Sequence, residues 1–222
     1  MPSRNILTSG EYYHIFNRSI AGFKIFNDNS GYKRFIDTFT YYQIDDRPCK
    51  LSALSNLSIS LINEILENKN PQDRLVTIIS FCLMPTHFHL LLEQDKDNGI
   101  VKFMRLIENS YSRYFNILHK RKGPLWEGRF KSVHVDSDEQ LLHLTRYIHL
   151  NPTSDRLVHK PDNWAFSSYK EYIYDNVDKN ICDFKNIIDL SPKQYKEFVN
   201  DRKKYQQELS TIKAQLIDYY SG

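Results

Sequence analysis

Long apolar runs are missing from this 222-residue chain. Nothing approaches the ~18 residues that a membrane-spanning helix needs, and the opening MPSRNILTSGEYY holds no apolar secretion core. The expectation is a cytoplasmic protein with no membrane partner. Cysteine is also scarce: Cys49, Cys82 and Cys182 are far apart and form no CxxC pair. That argues for a reducing compartment and against a thiolate metal site. Neither charge dominates, because 30 Lys and Arg against 27 Asp and Glu leave a net charge of +3. Such a balance does not by itself imply a nucleic-acid partner, so the local distribution has to decide. There is no internal repeat or low-complexity tract. Aromatics, by contrast, are plentiful, with 15 Tyr and 13 Phe in a chain long enough for one domain with embellishments.

The stretch EYYHIFNRS (11–19) reads as a first strand. Tyr32, Phe35, Ile36 and Phe39 fall at helical spacing, and Arg47-Pro48 closes that helix. Residues 49–73 resemble an inserted amphipathic helix carrying Leu54, Leu57, Leu61, Ile62 and Ile65. LVTIISFCL (75–83) and HFHLLLEQ (87–94) form a hairpin about Met84-Pro85-Thr86. Ile100, Phe103, Met104, Ile107, Tyr111, Tyr114, Phe115 and Leu118 mark a long amphipathic helix, and residues 129–135 a further strand. Ser137 and Gln140 open another helix with a capping-box pattern. Asn151-Pro152 ends it, since the residue before proline disfavours the α region. Residues 161–186 read as irregular. Ser191-Pro192 then starts a last helix whose apolar face is Tyr195, Phe198, Val199, Tyr205, Leu209, Ile212 and Leu216. This order predicts an α+β fold: a ferredoxin-like, RRM-like antiparallel sheet with helices packed on one face, plus the inserted helical segment and a C-terminal helical extension.

Two residues interrupt the apolar hairpin. His87 and His89 alternate with Phe88, so both imidazoles project from one face with Cβ atoms roughly 6.6 Å apart, while Phe88 enters the opposite layer. Imidazoles so placed can meet one metal through bonds of about 2.0–2.3 Å. They can equally be two half-buried side chains with no chemistry. Downstream, His143, Tyr147 and Asn151 form an i, i+4, i+8 stripe on one helix. Tyr147 and Asn151 could face a metal with the histidines, or Tyr147 could pack beside Leu144 and Ile148 while Asn151 caps the helix.

Three motifs in order, PTHFHLLL (85–92), KRKGPLWEGRFKS (120–132) and RYIHLNP (146–152), resemble the single-tyrosine transposases of the HUH nuclease superfamily. The branch most like this chain is that of the REP-associated tyrosine transposases. The resemblance covers roughly residues 8–170, including YYHIFNRS and NWAFSSY, and leaves 49–73 and the tail beyond 185 unaccounted for. It implies a transposase domain over 1–185 and a helical extension over 186–222. It further implies that His87, His89 and Asn151 bind a divalent ion (Mg²⁺ or Mn²⁺) and that Tyr147 is the nucleophile. Tyr111, Tyr114 and Tyr169 are competing tyrosines, the first two on the core face of the long helix. His143 and His149 receive no role.

The implied reaction nicks and rejoins single-stranded or hairpin DNA through a 5′-phosphotyrosine with a free 3′-hydroxyl. A local excess of base supports such a substrate: Arg113, Lys120, Arg121, Lys122, Arg129 and Lys131 stand against Glu127 alone, interleaved with Tyr114, Phe115 and Trp126. Phosphate contact and base stacking are the expected uses. The alternative is a domesticated protein that holds structured nucleic acid with little or no catalysis. Relatives imply a monomer or a homodimer.

Overall fold

The computed structural model describes residues 7–67, 71–175 and 180–201. Four antiparallel strands, β1 (Tyr12–Arg18), β2 (Val76–Met84), β3 (His87–Gln94) and β4 (Lys131–His134), make one sheet in the order β2-β3-β1-β4. Six α-helices accompany them among the described residues: α1 (Asn29–Tyr41), α2 (Ile59–Glu67), α3 (Gly99–Leu118), α4 (Asp138–Ser154), α5 (Tyr169–Ile173) and α6 (Pro192–Asn200). The succession β1-α1-β2-β3-α3-β4 in that strand order is the ferredoxin-like α+β arrangement, with α2 interposed before β2.

The expectation of helices on one face is corrected by the packing. α1 and α3 cover one side of the sheet, around Tyr13, Ile15, Phe88, Leu90 and Leu92. α4, α5 and α6 cover much of the other, around Ile79, Cys82, Met84 and Leu91. The physical reason lies in β2, whose nine residues are all buried. A strand covered on both faces has no polar side to show and reads as a continuous apolar run. A bulge re-phases it: Ile78 pairs with Leu92 and Ser80 with Leu91, leaving Ile79 between them.

Local chemistry fixes the ends of the elements. Asp28 caps α1 by accepting from the Gly31 amide at 2.8 Å. α3 opens on Gly99, a position that only glycine fits, because a Cβ there would collide with the Leu75 carbonyl. Pro85 and Thr86 make the β2–β3 turn, and its carbonyls accept from Ile25, Phe26 and Ser19 of the chain after β1. The Ser191 capping box of α6 is formed. The inserted segment divides into a 3₁₀ turn (Leu51–Asn56) and α2 rather than forming one helix. Tyr205, Leu209, Ile212 and Leu216 lie outside the described residues.

α4 departs from expectation in an instructive way. It passes through Pro152 to Ser154 instead of stopping at Asn151. An interior proline withdraws the amide that would serve the carbonyl four residues back, here Ile148, and costs about 3 kcal/mol. The Asn151 side chain supplies donors instead, reaching Tyr147 O at 2.9 Å and Ile148 O at 3.5 Å.

A candidate metal and tyrosine site

His87 and His89 project from the α4 side of β3, across from Arg18 and Phe16 of β1. Their ring centroids are 5.1 Å apart. Burial holds both imidazoles below the ordinary histidine pKa, so both are neutral at pH 7, the form that ligates metal. Each ring has one nitrogen occupied. His87 Nδ1 lies 3.0 Å from Thr86 Oγ1, and His89 Nδ1 lies 3.0 Å from His14 Nε2. Among the described residues no hydrogen-bond partner meets Nε2 of either histidine, and that is the nitrogen left for a ligand.

His14, on β1, was not singled out by the sequence reading. It is buried to 1% exposure, stacks on the His89 ring at 5.1 Å and is held neutral by burial, its pKa lowered to about 3. A metal on His89 Nε2 would require Nδ1–H to donate to His14 Nε2, and His14 would then hold His89 in the ligating tautomer. The only sequence signal was a histidine within an aromatic strand; its partner is 75 residues away.

Tyr147 reaches the same face from α4. Its ring meets His89 edge-on at 5.7 Å and His14 at 6.1 Å. Asn151, one turn further along, is 8% exposed. With its amide nitrogen committed to backbone carbonyls, the amide oxygen is the atom left to act as a ligand. Among the described residues no group of three or more His, Cys, Asp or Glu side chains is arranged for a metal. Two imidazoles and an amide are a different donor set, one suited to a divalent ion with open positions for water or phosphate. His143 turns away from it, bonding Arg146 at 3.2 Å and packing on Phe198.

His149 also lacked a role in the sequence reading, and the structure gives it one. Phe81 N–H donates to Ser168 Oγ (2.9 Å), and the Ser168 hydroxyl to His149 Nε2 (2.8 Å). His149 Nδ1–H then donates to Tyr195 Oη (2.7 Å), the Tyr195 hydroxyl to Thr145 Oγ1 (2.8 Å), and Thr145 to Leu142 O. Every donor in this buried chain is used when His149 is neutral, and burial lowers its pKa to about 3. The chain ties β2, the start of α5, α6 and α4 together, fixing the helix that carries Tyr147.

The competing tyrosines are engaged elsewhere. Tyr111 is fully buried and donates to Ile25 O, and Tyr169 is 1% exposed with its pKa raised by burial to about 12. The basic residues divide into groups. Lys131 pairs with Phe16 at the start of β4, so it shares the histidine face. Lys120, Arg121 and Lys122 form the turn after α3, where Arg121 bonds Asn116 and Pro124 O, and Arg129 is exposed just before β4. Arg113 lies on the far side of the sheet, in a groove between α1 and α3. Trp126 requires correction as a base-stacking residue. Only 8% exposed, it packs against Phe88, Phe35 and Tyr111 and donates to Glu108 O, so the core takes up its ring. Among the described residues no helix is long and apolar enough to cross a membrane.

Comparison with known proteins bears on the fold and on the middle of the chain. Residues 52–151 match the family model described as IS200-like transposase. A Haemophilus influenzae protein named as a REP-associated tyrosine transposase is 25% identical over 101 residues, 41% of this chain and 57% of that protein. The matched segment thus spans little more than half that relative's length. A solved structure of a REP-associated tyrosine transposase bound to a REP hairpin superposes with a TM-score of 0.53 at 14% identity, covering 83% of this chain and 95% of the other. At that identity the likeness speaks for the fold. Residues 52–151 are thus similar to the IS200-like transposases, and the fold is like that of a REP-associated tyrosine transposase.

Proposed function

We propose that this chain is a DNA transposase that nicks and rejoins single-stranded or hairpin DNA, with Tyr147 as nucleophile and His87, His89 and Asn151 as holders of a divalent ion. The observation that carries the reading is the meeting of Tyr147 with His89, which lies beside His87 on one strand face, each histidine being neutral with its Nδ1 occupied. A divalent ion bound there supplies positive charge to a phosphate oxygen. Tyr147 Oη attacks the scissile phosphorus, forming a P–O bond to tyrosine as the bond to the 3′-oxygen breaks. That oxygen takes up a proton from solvent as it leaves and becomes a hydroxyl, while the tyrosine proton passes to solvent or a base. Because the phosphotyrosine keeps the phosphodiester energy, the reverse attack by a 3′-hydroxyl rejoins DNA without ATP. Arg18 and Lys131, beside His87 and Phe16 on the same face, suit the flanking phosphates. Residues 1–185 form the transposase domain in this reading, and 186–222 an extension whose α6 braces the tyrosine helix.

The test uses end-labelled hairpin oligonucleotides with Mn²⁺ or Mg²⁺ and looks for a protein–DNA adduct that survives denaturation. An adduct is expected with the unaltered chain and none with Tyr147→Phe. An adduct that persists in Tyr147→Phe refutes the nucleophile. DNA binding with no adduct under any condition favours the domesticated, non-catalytic alternative.

A further inference from the structure

On the side of the sheet away from Tyr147, α1 and α3 leave a groove of about 570 Å³ between them. Arg34, Lys50, Arg105 and Arg113 line it, and among the described residues no carboxylate does. Elsewhere several exposed cations meet acids: Arg18 with Glu127, Lys102 with Asp45, Lys96 with Asp73 and Arg74 with Asp183. Arg34 lies over the Tyr114 ring at 5.4 Å, and its Nε is a buried donor with no hydrogen-bond partner. Four cations held together without a counter-ion repel one another, and an anionic ligand relieves that repulsion.

The groove also has direction. Arg105, Asn109, Arg113 and Ile117 stand four residues apart and exposed along α3, a stripe of about 18 Å. Its C-terminal end leads into the turn holding Lys120, Arg121 and Lys122. That turn rejoins the sheet where Ile20 N bonds Leu125 O and Glu127 N bonds Arg18 O. Arg18 pairs with His87, so the basic stripe ends at the same end of the sheet as the histidine pair.

We infer that the α1–α3 groove is a second DNA-binding site, a track for the phosphate backbone of the strand running on from the tyrosine site around the edge of the sheet. At about 3.4 Å per phosphate the stripe spans roughly five nucleotides. Phosphate contacts of this kind give affinity and register without reading sequence. The inference rests on the DNA-processing reading only for the nature of the ligand, since the groove itself needs no catalysis.

The test measures binding of the full chain by fluorescence anisotropy over a series of salt concentrations. One oligonucleotide is a bare hairpin, and the others carry a ten-nucleotide single-stranded tail at either end. The probe variant is Lys50→Ala/Arg105→Ala; both residues are exposed, so the fold is not at stake. For a tailed hairpin, the slope of log affinity against log salt falls by about 1.4 on removal of two single-strand phosphate contacts. The bare hairpin binds as before, and Lys50→Arg/Arg105→Lys keeps the wild-type slope. An unchanged slope on both tailed hairpins overturns the track while leaving the DNA reading intact, and so does an equal loss on the bare hairpin. If the unaltered chain binds none of these oligonucleotides, the DNA reading falls and the track with it.

Discussion

His14→Ala tests whether the second histidine sets the first. In the folded chain His14 Nε2 is 3.0 Å from His89 Nδ1 and both rings are buried. Truncation strands a buried N–H, at about 1–3 kcal/mol, and opens a void under the sheet that adds about 1–2 kcal/mol. A total near 2–5 kcal/mol lowers Tm by roughly 4–20 °C in a domain of this size. The more discriminating number is metal affinity. Partners that orient a ligating imidazole are worth about 10–100-fold in affinity, or roughly 1.4–2.7 kcal/mol. Mn²⁺ titration by calorimetry, below the variant's unfolding temperature, reads that factor directly. His14→Gln returns an acceptor to His89 Nδ1–H and recovers part of the affinity, which simple loss of packing does not predict. A His14→Ala chain that is folded and binds Mn²⁺ with an unchanged Kd refutes the orienting role.

Two further outcomes follow from the structure. Tyr195→Phe removes the hydroxyl that joins His149 to Thr145, so a stability loss of about 2–3 kcal/mol in urea unfolding is expected; a loss near zero would mean that the chain of bonds does not brace α4. His134, bonded to Glu11 at 3.0 Å and Asp136 at 2.6 Å, has its pKa raised chiefly by the Glu11 bond. Its contribution to stability is therefore complete below the ordinary value of ~6.5 and fades as pH rises through the higher folded value. An imidazole NMR titration should place the His134 midpoint above ~6.5 and Glu11→Gln should lower it, whereas a wild-type midpoint at or below that value contradicts the assignment.

The parts of the fold that were legible in the sequence are those where one local rule decides. The i, i+3, i+4, i+7 pattern of α3 and the Ser137 and Ser191 caps appear almost residue for residue. The alternation of His87, Phe88 and His89 correctly divided the two faces of β3. What was not legible depends on distant partners. The second helical layer was present only as the unbroken apolar run of β2. Trp126 sits in a basic loop, and nothing local shows that its ring turns inward against Phe88. Pro152 reads as a helix stop unless the preceding side chain is known to replace the missing donor.

That last exchange bears on how active and inactive copies of such a domain are to be told apart. On the proposed function Asn151 would have two employers, the metal and the broken rung of its own helix, of which the structure shows the second. A descendant that had given up cutting DNA would still need it to hold α4 together. His87, partly exposed and hydrogen-bonded among the described residues to the neighbouring Thr86 hydroxyl, carries no comparable structural debt. In a lineage released from catalysis His87 would drift first, and its presence says more about retained chemistry than Asn151 does.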